Sequence, residues 1–161
     1  MKNSYNVVEI IQMAINVERE GYESYSSIAR DINDDKAKAV FVLLAEQEKK
    51  HAETFKNLLE VMNENNKINA EYLFDEHVIG YFRALTANKV FESDRMQKAI
   101  DLTTAKEAIQ EGINSEKNSI LLYTELLQGA DIPEVKTALE LIIAEEKSHI
   151  IDLTNLLKSL V

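Results

Sequence analysis

The sequence contains no cysteine and no tryptophan, and its 161 residues include one proline and four glycines. Without cysteine the chain can form no disulfide, and it offers no thiolate as a nucleophile or as a ligand of an iron centre. Glycine and proline are too scarce for the many tight turns of an all-β fold, so we expect a helical protein. The absence of cysteine also fits a reducing compartment, and we expect a cytoplasmic location.

Acidic side chains outnumber basic ones. The sequence has 28 Asp and Glu against 18 Lys and Arg, which gives a formal net charge of −10 with neutral histidine. An acidic surface repels phosphate groups, so neither nucleic acid nor an anionic membrane is an expected partner. No apolar run approaches the roughly 20 residues of a membrane span, and the N-terminus lacks the apolar core of a signal peptide. A chain of 161 residues is long enough to bury one core, so we expect one domain, residues 1–161.

Four segments place apolar residues at steps of three and four, which is the spacing of one buried helical face. These segments extend over about 6–32, 34–63, 102–128 and 133–160. The pattern predicts an all-α fold of two helical hairpins, 6–63 and 102–160, joined by a crossover, 64–101, with a short helix near 71–87.

Polar or conformationally special residues mark the turn of each hairpin. Asn33 begins a polar break in the first hairpin, and either Asp34 or Asp35 is suited to cap the helix that follows. In the second hairpin Gly129 and Pro133 enclose the break, in the order expected for the end of one helix and the start of the next.

Each hairpin carries a Glu-x-x-His motif in the apolar stripe of its second helix and a lone Glu in the stripe of its first helix. Residues three apart share a helical face, so each motif directs a carboxylate and an imidazole to the same point. The lone Glu precedes the motif Glu by 30 residues in both hairpins, with the turn midway, so both glutamates lie at the same height. The six candidate metal ligands are Glu18, Glu48, His51, Glu116, Glu146 and His149.

The two hairpins are repeats at an offset of 98 residues, which superimposes the three candidate ligands of one on those of the other and Tyr25 on Tyr123. This register predicts two hairpins related by a pseudo-twofold axis, with one shared site on the axis. Each tyrosine follows its lone Glu by two helical turns, where its phenol could donate to a ligand carboxylate on a neighbouring helix. The alternative is a core tyrosine with an ordinary partner.

Four carboxylates and two neutral imidazoles carry four negative charges, which two divalent cations balance. Without metal, the glutamates would repel one another and some would take up protons. Oxygen and nitrogen donors without thiolate suit iron or manganese, and zinc is an alternative. A single Glu-x-x-His is usually a solvated surface pair, but two complete sets in register favour a dinuclear metal site. Its open coordination positions suit oxygen or peroxide chemistry.

This ligand pattern resembles that of the ferritin-like di-iron carboxylate proteins, and within them the rubrerythrins. The resemblance covers the chain except the crossover and rests on residues 18–25, 45–52, 116–123 and 145–149. It implies a ferritin-like four-helix bundle that binds two iron ions, with Glu48 and Glu146 bridging or chelating. It also implies an oxidoreductase that acts on hydrogen peroxide or oxygen.

Two features depart from the rubrerythrin pattern. Rubrerythrins usually carry a cysteine-ligated iron domain that passes electrons to the iron pair, so a chain without cysteine would need a separate electron-donor protein. Rubrerythrins also place a carboxylate three residues after the Glu of the third helix, where this chain has Ser119. The same centre could instead oxidise ferrous iron for storage or delivery, or hold metal for stability without turnover.

The crossover concentrates apolar and aromatic residues between Tyr72 and Phe82. This stretch either covers the chain's own bundle or packs against a second copy, and the resemblance to rubrerythrins implies a homodimer. His77 lies in the same stretch without a partner at ligand spacing, so we interpret it as a structural residue.

Overall fold

The computed structural model describes residues 7–64, 102–130 and 132–160. These residues form α1 (Val7–Asp31), α2 (Asp35–Glu64), α3 (Leu102–Gly129) and α4 (Pro133–Ser159), and no strand lies within the three ranges. The predicted all-α fold is confirmed, with helix ends close to those expected from the apolar periodicity. The predicted short helix near 71–87, the apolar stretch 72–82 and His77 lie outside the described residues.

The turn between α1 and α2 is short because Asp34 caps α2 directly. The Ala37 N–H donates to Asp34 Oδ1 at 2.8 Å, and the Lys38 N–H donates to the Asp34 carbonyl at 2.8 Å. Asp35 lies in the first turn, where its negative charge faces the positive end of the helix. The structure therefore assigns the cap to Asp34, which the sequence alone left open between two aspartates.

Proline starts the second hairpin's return helix. Ile132 has an extended backbone, with φ −89° and ψ 119°, which is the conformation that a residue before proline prefers. Pro133 then occupies the first turn of α4, where a backbone N–H has no partner within the helix, so the missing N–H of proline costs no helical hydrogen bond.

The two hairpins meet through α1 with α3 and through α2 with α4. Tyr25 of α1 reaches Glu116 of α3 while Tyr123 reaches Glu18, so the residue order reverses and the two helices are antiparallel. The histidine–glutamate contacts between α2 and α4 reverse in the same way. The two hairpins are therefore related by a pseudo-twofold axis that lies between them. Because α1 is antiparallel to both α2 and α3, the last residue of α2 and the first residue of α3 lie at opposite ends of the bundle.

Aromatic side chains and one glycine set the packing around the middle of the bundle. The Tyr25 ring packs against Phe41 with centroids 5.8 Å apart, and the Tyr123 ring packs against Phe55 at 5.4 Å. A Cβ at Gly112 would lie 3.2 Å from Leu153 Cδ1 and 3.5 Å from the Tyr25 hydroxyl oxygen, so glycine avoids a tight contact with Leu153 beside this phenol. Within the described ranges, no helix combines the length and the hydrophobicity that a bilayer span requires.

The cap gives a direct test of the hairpin turn. Asp34→Ala removes the acceptor for the Ala37 N–H and should lower the free energy of unfolding by about 1 kcal/mol, measured by urea denaturation. Asp34→Asn keeps an acceptor oxygen and should stay close to wild type. Equal losses in the two variants would contradict the assigned cap.

Candidate metal centre

All four helices direct polar side chains to one point in the interior. Glu18 comes from α1 and Glu116 from α3, and the two Glu-x-x-His motifs come from α2 and α4. The structure brings all six predicted ligands together, and each is at most 2% exposed: Glu18, Glu48, His51, Glu116, Glu146 and His149. Such burial rules out the interpretation of the motifs as solvated surface pairs.

The six residues form two overlapping groups of candidate ligands. One group contains Glu18 and His51, the other contains Glu116 and His149, and both contain Glu48 and Glu146. In each group the ligand atoms lie within 4.8 Å of one another. Each group would therefore give a cation one terminal Glu and one His of its own, and the two groups share a pair of glutamates.

The two shared glutamates direct one oxygen toward each histidine. Glu146 Oε1 lies 3.2 Å from His51 Nδ1, and Glu146 Oε2 lies 2.8 Å from His149 Nδ1. Glu48 behaves alike, with Oε1 3.2 Å from His149 Nδ1 and Oε2 3.8 Å from His51 Nδ1. The imidazole rings are nearly parallel, with centroids 5.7 Å apart and planes 17° apart. Both Nδ1 atoms thus face the carboxylates in the manner of ligands.

Each terminal Glu accepts a hydrogen bond from a tyrosine of the other hairpin. The Tyr25 hydroxyl donates to Glu116 Oε1, and the Tyr123 hydroxyl donates to Glu18 Oε1. These are the cross-helix contacts that the seven-residue spacing predicts. Burial, together with the nearby carboxylates, raises the pKa of both phenols well above the usual value, so both remain protonated donors.

Several atoms in the cluster lack the partners that burial normally demands. Among the described residues, Glu48 Oε1, Glu116 Oε2 and both oxygens of Glu146 are buried and make no hydrogen bond, although Glu146 Oε2 lies 2.8 Å from His149 Nδ1. Leaving such acceptors unpaired is costly, because water no longer solvates them. Bound cations would use these lone pairs, so the donor set fits two divalent metal ions better than it fits a hydrogen-bonded core.

Protons compensate part of the negative charge in the metal-free cluster. Burial and repulsion from Glu146 raise the pKa of Glu48 well above its usual value. The same two causes raise the pKa of Glu116 to about 8, against the opposing effect of His149. Burial would also raise the pKa of Glu146, but the two histidines outweigh it and lower this pKa to about 2.

The histidines are the main proton carriers. Burial alone would lower the pKa of an imidazole, but the surrounding glutamates outweigh this effect and raise the pKa of His149 to about 12. The pKa of His51 is also raised well above its usual value, against the effect of burial, by Glu146, Glu18 and Glu48. A cation that binds Nδ1 must therefore displace a proton.

Glu145 also belongs to the site, although the sequence pattern did not predict it. Its Oε2 lies 2.6 Å from His51 Nε2, on the side of the ring that faces away from the other carboxylates. The side chain of Glu145 is 55% exposed, and it lies outside the buried stripe from which the ligands were identified. The signal in the sequence was its position directly before the motif Glu of α4.

Comparisons with known proteins agree with this geometry. The family model for rubrerythrin matches residues 9–109, which include nearly all of α1, all of α2 and the three candidate ligands that these helices carry. A crystal structure from Thermotoga maritima, assigned to the ferritin-like diiron-carboxylate proteins, is 26% identical, covers 98% of both chains and has a TM-score of 0.71. No functionally curated protein matches the sequence.

A second solved structure shares the fold. It is a two-domain protein from Anabaena variabilis with DJ-1/ThiJ/PfpI-like and ferritin-like domains, 15% identical, with a TM-score of 0.56. The match covers 99% of this chain and 42% of that one. The fold is thus a ferritin-like helical bundle, its buried Glu/His cluster is that of a dinuclear metal protein, and the chain belongs to the rubrerythrin family.

Proposed function

We propose that this protein is a di-iron oxidoreductase that reduces hydrogen peroxide or oxygen. The observation that carries the proposal is the pair of overlapping ligand groups, buried and sharing Glu48 and Glu146. Oxygen and imidazole donors without thiolate suit iron. The rubrerythrin match and the similarity to a diiron-carboxylate protein support iron over manganese or zinc.

The ligand roles follow from the two groups. Glu18 and His51 would hold one ion, and Glu116 and His149 would hold the other. The shared glutamates would contact both ions, since each already directs one oxygen toward each histidine. Four residues for each ion do not complete the coordination sphere of iron, so a small oxidant has room to bind.

Two ferrous ions held in this way would supply the two electrons that, with two protons, convert hydrogen peroxide into two molecules of water. Tyr25 and Tyr123 act as positioning residues, because each hydroxyl fixes one oxygen of a terminal Glu. No cysteine lies within these 161 residues, so the electrons that restore the ferrous state would come from a donor outside them, and a separate donor protein is the proposed source. A homodimer formed through residues 72–82 remains a prediction, as does a cytoplasmic location.

Metal binding should depend on pH, because the cations displace protons. His149, with a pKa of about 12, carries a proton at pH 7, and Glu116, with a pKa of about 8, is mostly protonated there. Each displaced proton makes the apparent association constant rise by about tenfold for each pH unit. Titration calorimetry with Mn²⁺ should show an affinity that rises by at least about tenfold between pH 6 and pH 7. An affinity that does not change with pH would contradict protonated histidines in the metal-free centre.

The proposed reaction is tested by mixing anaerobic, ferrous-loaded protein with hydrogen peroxide or with oxygen in a stopped-flow spectrometer. Wild type should bind two ferrous ions per chain, oxidise both for each peroxide consumed and retain the iron. Glu48→Gln/Glu146→Gln removes both shared carboxylates and should lose at least one ion together with the fast oxidation. Glu53→Gln on the exposed face of α2 is the matched control and should behave as wild type.

The same experiment separates the alternatives. A loaded centre that reacts with neither oxidant would overturn the oxidoreductase and leave a metal-stabilised module. Iron that is oxidised and then released, or that accumulates beyond two ions per chain, would identify ferrous iron as the substrate.

A further inference from the structure

The outer nitrogen atoms of the two histidines have different surroundings. His51 Nε2 is hydrogen-bonded to Glu145 Oε2 at 2.6 Å. His149 Nε2 is buried and has no hydrogen-bond partner within residues 7–64, 102–130 and 132–160. The inner Nδ1 atoms, in contrast, face matching sets of carboxylates. The pseudo-twofold symmetry of the centre therefore ends at the outer side of the imidazoles.

The sequence repeat identifies the origin of this difference. The offset of 98 residues that takes His51 to His149 also takes Gln47 to Glu145. By this repeat, Gln47 is the counterpart of the carboxylate that contacts His51. Gln47 is half-buried, and its Oε1 makes no hydrogen bond with the described residues. One hairpin has an amide where the other has a carboxylate.

A carboxylate and an amide act differently on a ligating histidine. A carboxylate that accepts the Nε2–H fixes the proton on that nitrogen, leaves Nδ1 free for a cation and increases its donor strength. Such a charge-assisted hydrogen bond is roughly twice as strong as a neutral one. An amide oxygen offers only the neutral bond, and an amide can equally present its NH₂ group, which does not fix the proton on Nε2.

We propose that Glu145 is a positioning residue for His51 and that its replacement by Gln47 in the other hairpin makes the two metal positions unequal. The position formed by Glu18 and His51 binds a divalent cation more tightly than the position formed by Glu116 and His149. The inference rests on the proposed dinuclear centre and adds an order of filling to it.

The exposure of Glu145 makes this position suitable for mutation. Its side chain is 55% exposed, so Glu145→Gln changes the charge and the hydrogen bond without disturbing the packed interior. Gln47→Glu places a carboxylate at the counterpart. Glu140→Gln removes an exposed carboxylate from the same helix and is the matched control for charge.

Binding is measured in variants that keep only one cation position, because repulsion between two cations weakens the second binding step in a dinuclear centre. Glu116→Gln disables the position of His149, and Glu18→Gln disables the position of His51. Binding of Co²⁺ is then measured in each background by visible absorption and titration calorimetry. Circular dichroism verifies that each variant is folded.

Glu145→Gln should weaken Co²⁺ binding by about 10- to 100-fold in the Glu116→Gln background and leave it nearly unchanged in the Glu18→Gln background. Gln47→Glu should strengthen binding in the Glu18→Gln background, and Glu140→Gln should change neither. Equal weakening by Glu145→Gln in both backgrounds, or no weakening in either, would overturn the proposal. Wild-type protein that binds no Co²⁺ would overturn the dinuclear centre itself, which is a distinct result.

Discussion

Four glutamates buried in one cluster are the constraint on which the rest of this structure depends. A buried carboxylate is costly unless a proton, a hydrogen-bond donor or a cation compensates its charge. Protons and hydrogen-bond donors are present around the cluster, as histidines with raised pKa values and as phenols that donate across the bundle, and the carboxylate oxygens are arranged as a cation would need them. Protons can replace cations in the metal-free protein, but several carboxylate oxygens then make no hydrogen bond with the described residues.

The repeat explains how one chain builds a site with two equivalent halves. Each hairpin brings one lone Glu and one Glu-x-x-His motif. Across the antiparallel helix pairs, each tyrosine donates to the lone Glu of the other hairpin, and each histidine faces the motif Glu of the other hairpin. Glu48 and Glu146 lie where the two halves meet, so they belong to both ligand groups. Sequence differences between the hairpins, such as Gln47 at the repeat position of Glu145, then change the cation affinity of one position and leave that of the other unchanged.

Much of this architecture could be predicted from the sequence because it depends on periodicity and register. Apolar spacing located the helices, and the common offset of 98 residues located the six ligands and the two tyrosines. Side-chain contacts outside the buried stripe could not be predicted, because helical periodicity does not fix which exposed residue reaches across to a neighbouring helix. Glu145 was missed for this reason, and the choice between Asp34 and Asp35 needed the backbone geometry of the cap.

Anomalous diffraction from crystals of the iron-loaded protein, recorded on both sides of the iron absorption edge, would show whether the buried cluster binds two iron ions. We expect two iron peaks inside the bundle. One should lie beside Glu18 and His51 and the other beside Glu116 and His149, with Glu48 and Glu146 between them. A single peak, peaks on the surface, or an interior without iron would contradict the dinuclear centre.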